Sequence, residues 1–213
     1  MNKVLAYILT FFGLSLIHGL AYAQITNTGL PVSIAANTEV YLDADSAVFD
    51  GAVINDGTIT STGNFSVAAN SYDGAGTIAL PPTAQTLNMN GDTIQTLELS
   101  GGAKTLVSDL VVNNLDFVSP STLATNNNEL VHQAGLGNIT GAGASSYVVG
   151  AMTVNAAQAF YPLALNGAYA PVNITDISGA SPSLKVTPVA ADPNAQIGRG
   201  VLAVASDKYW LVE

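Results

Sequence analysis

Chemistry in this chain would have to come from carboxylates, because little else is on offer. There is no cysteine, which removes disulfides, thiolate metal sites and a thiol nucleophile. Beyond residue 23 the only histidine is His132, and its neighbours Val131 and Gln133 form no motif. A lone histidine in an apolar run reads as structural. Paired acids are the other route, since a glycosidase needs only two carboxyl groups flanking a scissile bond. Asp92, Asp109 and Asp116 are available, against the plain alternative that each caps a turn. Asp43 and Asp45 lie two apart, and in an extended segment such residues point the same way. They could share a calcium ion, but a calcium loop collects more oxygen ligands, so solvated turn carboxylates are the simpler reading. Lyase chemistry on acidic sugars needs a basic residue, and residues 24–143 hold only Lys104. No catalytic, cofactor-binding or metal-ligating residue is assigned, and no cofactor is expected.

Binding without chemistry is the alternative. Tyr72, Tyr147, Tyr161 and Tyr169 could offer a sugar apolar ring faces with a polar tip, although core packing is the default for such rings. Tyr209 and Trp210 are adjacent in a strand-like run, so they face opposite sides, with Trp210 expected inward and Tyr209 outward. Fifteen acidic residues against five basic ones give a net charge of −10. Nucleic acid is thereby excluded as a partner, because its binding rests on Lys and Arg neutralising phosphates. The acids are dispersed, which favours solubility over a dedicated acidic surface. Charged residues are only 9% of the chain, against ~25% in ordinary globular chains, so Ser, Thr, Asn and Gly must meet the water instead. Hydrophobic residues, at 48%, supply ample core and argue against disorder.

The elements that must hold these residues begin after a leader. Residues 1–23 carry a basic Lys3, an almost wholly apolar run from Val4 to Leu20, and Ala21-Tyr22-Ala23 before Gln24. That pattern predicts a cleaved secretory signal, with an uncleaved membrane anchor as the alternative. Membrane contact is expected only through this segment before cleavage. From residue 24 to 143 short β-type runs recur, punctuated by Gly, Asn or Asp. They fall at 52–54, 58–60, 64–68, 77–80, 86–89, 93–99, 104–107 and 110–112. Asp56-Gly57-Thr58-Ile59, Gly74-Ala75-Gly76-Thr77-Ile78 and Gly91-Asp92-Thr93-Ile94 look like variants of one unit, spaced 19 and then 16 residues apart at the isoleucines. Such a period is the mark of stacked architectures. Pro81-Pro82 must lie at a corner, because proline cannot donate to a ladder. Asn113-Asn114 and Asn126-Asn127-Asn128 read as turns, or as asparagine ladders between coils.

Residues 135–143 are loop-rich and make a plausible boundary. Beyond them, longer runs at 146–155, 160–165, 170–177, 184–189, 201–205 and 209–212 are separated by turn signals such as Asn166-Gly167 and Asp192-Pro193-Asn194. The predicted fold class is all-β: an irregular right-handed β-solenoid over residues 24–143, then an antiparallel β-sandwich-like domain over residues 144–213. Glu213 directly follows an apolar strand, so truncation of a longer protein is expected.

Tyr147-Val148-Val149-Gly150, Phe160-Tyr161-Pro162-Leu163, Tyr169-Ala170-Pro171-Val172 and Asp207-Lys208-Tyr209-Trp210, with Asn138-Ile139-Thr140-Gly141 as lead-in, resemble a recurring pattern. It occurs in the β-helix and β-sandwich modules of large secreted and surface adhesin-like proteins of Bacteroidetes, substrates of type IX secretion. The likeness covers about residues 130–213. It departs from the pattern at Ala164, where glycine is usual, at Ala170, where a basic residue is common, and in lacking a sorting domain. The resemblance implies a non-catalytic, adhesin-like extracellular role, with surface glycans or other surface proteins as partners. Asp45-Ser46-Ala47 and Asp92-Thr93-Ile94 also resemble the O-glycosylation sites of that phylum, and three Asn-x-Ser/Thr sequons begin at Asn64, Asn138 and Asn173. The alternative function is a polysaccharide-active β-helix enzyme, or a carbohydrate-binding module.

Overall fold

A run such as Thr77-Ile78-Ala79-Leu80 buries every second side chain, so it can serve only as one wall of a cavity-filling stack. The computed structural model, which describes residues 24–134, 137–156, 159–175, 183–190 and 209–213, consists of such walls. Among these residues every regular element is a strand, and the parallel stacking forms a β-solenoid of about seven turns. The expected leader, the strand expected at 201–205 and the turn at Asp192-Pro193-Asn194 lie outside the described residues.

The first three coils have three walls each. They are β1 (Gln24–Asn27), β2 (Val32–Ile34) and β3 (Glu39–Leu42); β4 (Ser46–Phe49), β5 (Val53–Asn55) and β6 (Thr58–Ser61); and β7 (Asn64–Val67), β8 (Tyr72–Asp73) and β9 (Thr77–Leu80). The next two coils have two walls: β10 (Gln85–Asn88) with a longer β11 (Thr93–Leu99), and β12 (Ala103–Leu106) with β13 (Leu110–Phe117). One sheet stacks β1, β4, β7, β10 and β12; another stacks β3, β6, β9, β11 and β13; a third, made of β2, β5 and β8, stops there.

Register is set by inward columns. Ile59, Ile78, Leu97 and Leu115 are Cα partners on successive coils and are almost wholly buried. Each such side chain contributes about 1.5–3 kcal/mol of burial, and a one-residue slip would turn the whole column to water. On the opposite wall Ala47, Phe65, Leu87 and Leu106 stack likewise, with the Phe49 and Phe65 rings 5.6 Å apart.

Two expectations fail here. The third repeat was expected to place Ile94 over Ile78, 16 residues on; instead Leu97 pairs with Ile78, and Ile94 pairs with Val112 on the next coil. The coil keeps its step of 19 by extending β11 around the corner through Gln95. Asn113-Asn114 is not a turn but lies inside β13, where the same bend passes. The turns at Asn90-Gly91 and Asn126-Asn127 do form, with positive φ at all four residues.

Stacking continues beyond residue 143. β14 (Thr122–Ala124) pairs in parallel with β17 (Tyr147–Val149), and β15 (Leu130–His132) with β18 (Met152–Val154), while β16 (Ile139–Thr140) lies on β13. The run expected as one strand at 146–155 is thus two, turned at Gly150, whose φ of 112° suits glycine. The run at 160–165 likewise splits at Pro162 into β19 (Ala159–Tyr161) and β20 (Leu163–Leu165), and β20 pairs in parallel with β17. Only then does pairing turn antiparallel. Asn166-Gly167 joins β20 to β21 (Ala168–Tyr169) as a two-residue hairpin with both φ values positive. β22 (Val172–Ile174) pairs with β19, and β23 (Leu184–Val189) adds to β18 with β24 (Tyr209–Val212) outside it. Trp210 was expected to be buried; it is 37% exposed, on β24, the outermost strand of its sheet among the described residues.

Candidate functional site

Four of the acids singled out by sequence, Asp43, Asp92, Asp109 and Asp116, bond neighbouring coils. Asp92, in the turn after β10, accepts the backbone N–H groups of Asn70, Ser71 and Tyr72 from the coil below, at 2.9, 3.0 and 2.9 Å. Asp109 reaches the other way, and its Oδ1 accepts the Glu129 N–H of the coil above at 2.7 Å. Asp116, on the outer face of β13, accepts the Thr140 hydroxyl at 2.8 Å. The two turn acids therefore point along the stack in opposite directions instead of facing across a cleft. Asp43 accepts the Thr62 hydroxyl at 3.2 Å. Among the described residues no three His, Cys, Asp or Glu side chains gather where a metal could sit.

His132 is buried on the inner wall, and burial lowers its pKa, opposed in part by the carbonyls of Asn113 and Asn138. Neither ring nitrogen reaches hydrogen-bond geometry with any described group. The tyrosines do not form a planar row. Tyr72 is buried, and its hydroxyl accepts Asn55 Nδ2 at 2.9 Å. Tyr161 is fully buried and donates to the Leu184 carbonyl at 2.8 Å. Tyr147 and Tyr169 remain as a half-buried stacked pair with centroids 6.4 Å apart.

Three residues take places that the sequence did not reveal. Lys104 is fully buried inside the coil. Its ammonium donates to the Pro81 and Thr83 carbonyls and, at 2.9 Å, to Gln85 Oε1. All three partners are neutral oxygens, and burial lowers its pKa from 10.5 to about 8. Gln85 continues the column by donating to the Ser61 and Gly63 carbonyls. Glu98 is the Cα partner of Asp116, so two carboxylates sit one rung apart on an outer face. The only signal for this was their spacing of 18 residues, close to the coil step.

The third residue is Asn113, and it belongs to a concavity where polar groups converge. The β2–β5–β8 wall ends at β8, because residues 89–92 carry the chain directly from β10 into β11. The missing wall leaves a step. Above β8 it opens a groove of about 620 Å3 lined by Asn70, Tyr72, Asp73, Gly74, Gly91, Asp92, Thr93, Gln95 and Asn113. Asn113 donates Nδ2 to Gln95 Oε1 at 2.7 Å, while its own Oδ1 is buried and has no partner among the described residues.

No family model matches the chain, and neither curated proteins nor solved structures give a match.

Proposed function

We propose that the chain is a non-catalytic structural and adhesive module of the cell surface or extracellular space, in which a hydrogen-bonded β-solenoid displays surfaces for glycans or other surface proteins. The observation that carries this reading is the fate of Asp92, Asp109 and Asp116. Each uses its carboxylate to bond an adjacent coil, and none faces another across the groove. Export rests on the leader pattern of residues 1–23 and on the resemblance to surface proteins of Bacteroidetes. A net charge of −10 keeps nucleic acid out of the reading.

The winding is taken as right-handed, as parallel crossovers nearly always are. The sandwich-like domain expected within residues 144–213 serves as a cap beyond β17, β18 and β20, which still belong to the parallel stack. Its antiparallel strands extend the two long sheets at one end, and solenoids need a terminal element to cover their edges. The runner-up is a polysaccharide-active enzyme. It is favoured by Glu98 and Asp116, which sit one rung, about 4.8 Å, apart, close to the separation of a retaining carboxylate pair. These two lie on the outer face of a sheet and outside the groove. A glycan array probed with the purified chain tests the leading reading. Retention on a defined set of glycans supports it, and failure to bind any glycan or any intact cell surface overturns adhesion.

A further inference from the structure

We propose that the step groove above β8 is a binding site for a neutral saccharide, held through its hydroxyl groups. This deepens the adhesive reading and rests on it for the kind of partner; the groove itself stands on geometry. Five coils pair their long walls without interruption, yet one wall ends at Tyr72 and Asp73, so the hollow is built into the coil pattern.

Asn113 points to a ligand. Its residue exposure is only 7%, it lines the groove, and its Oδ1 is a buried acceptor without a partner among the described residues. A buried acceptor left unsatisfied is costly, so a small shift of the Asn113 amide that brings Oδ1 to the groove surface would be favoured by a ligand hydroxyl meeting it there. The Asn113 amide is oriented by its bond to Gln95 Oε1, which leaves Gln95 Nε2 as a donor in the same lining. Asp92 adds a carboxylate already fixed by three backbone N–H groups, so it is ordered before any ligand arrives. Asp73 is oriented by the Gly74 N–H at 2.7 Å, and Asn70 and Thr93 are exposed at the rim.

This set offers paired acceptors and donors on rigid backbone, which suits vicinal hydroxyls. It contains two carboxylates and no basic residue, so acidic sugars and phosphates are repelled. A volume of about 620 Å3 falls within the range of small-ligand sites. The groove is open to solvent at its rim, so an internal unit of a longer glycan could lie in it. Calcium is the weaker occupant, because among the described residues no third acid joins Asp73 and Asp92.

The test is isothermal titration of the whole purified chain with gluco-, manno- and galacto-configured neutral tetrasaccharides. A galacturonate tetrasaccharide and calcium chloride are titrated in parallel. One neutral sugar is expected to bind and the galacturonate is not. Thr93→Trp, an exposed position at the rim, should abolish binding by filling the groove. Gln95→Ala, which removes its own contact and releases the Asn113 amide, should weaken it by about tenfold or more. Thr105→Trp, on the opposite sheet, should bind like the parent, and circular dichroism should show the same β spectrum in all variants. Equal binding by the parent and Thr93→Trp would overturn the site while leaving adhesion standing. Absence of neutral-sugar binding by a chain that still adheres to cells does the same. Calcium binding lost in Thr93→Trp would overturn the saccharide in favour of a cation. Cleavage of the bound sugar would instead sink the non-catalytic reading and leave the site.

Discussion

Replacing Asp92 with alanine separates a carboxylate that holds coils together from one that does chemistry. The substitution removes three bonds at once, to the N–H groups of Asn70, Ser71 and Tyr72. Hydrogen bonds to a charged group are worth about 1.5–3 kcal/mol each when both ends are buried. Asn70 is exposed and Ser71 half-buried, so water can replace much of their loss, whereas Tyr72 is buried. The expected cost is about 2–4 kcal/mol, or a melting point lower by about 4–16 °C for a chain of this size. The loss should be local first. Hydrogen exchange followed by mass spectrometry should show deprotection in the peptide covering residues 67–77 before the coils on either side, as expected where each repeat contacts only its neighbours. Asp116→Ala is the control. It removes one bond to an exposed Thr140 hydroxyl and should change stability by less than about 0.5 kcal/mol. If Asp92→Ala melts within a degree or so of Asp116→Ala, the role given to Asp92 is wrong.

Other perturbations probe other columns. Lys104 has a folded pKa of about 8 against 10.5 unfolded, so between those values the unfolded chain binds more protons and stability should rise with pH. Tyr72 and Tyr161, pushed by burial from 10.0 to about 12, act oppositely, and stability should fall above about pH 10. Urea midpoints measured from pH 7 to 11 should therefore pass through a maximum, and Lys104→Met should abolish the rise but keep the fall. Asn55→Ala removes bonds to the Tyr72 hydroxyl, the Thr77 carbonyl and the Gly57 N–H inside a fully buried corner. It should cost about 2–4 kcal/mol in urea unfolding. Glu98→Thr removes one of two carboxylates stacked on neighbouring rungs and should stabilise by about 0.2–1 kcal/mol, a gain that shrinks in high salt.

The all-β class and the stacking were legible because alternation with period two and Gly/Asn punctuation are local signals. Thr77–Leu80, Thr93–Leu99 and Leu184–Val189 stand in the structure with the limits read from sequence. The Asn166-Gly167 hairpin was legible for the same reason. Register was not. Both Ile94 and Leu97 are apolar and inward, and the choice between them depends on which coil drops its third wall, a fact about neighbouring coils. Asn113-Asn114 has the composition of a turn, yet pairing of β13 with β11 on both sides of Gln95 and Asn113 carries the strand through it. The groove was invisible for a related reason. It is made by residues that are absent between β10 and β11, and its members come from three coils. Lys104 was read only as a scarce basic residue, since nothing local shows that its ammonium ends among the carbonyls of the coil beneath.

The most direct test of a scaffold that binds without reacting is a time course of reducing-end release from glycans that the purified chain retains. A flat trace over many hours at high protein concentration, with the glycan still bound, is the predicted result. A rising trace that disappears in Glu98→Gln or Asp116→Asn, with both variants folded, would contradict it and make the outer face of β11 and β13 an active site.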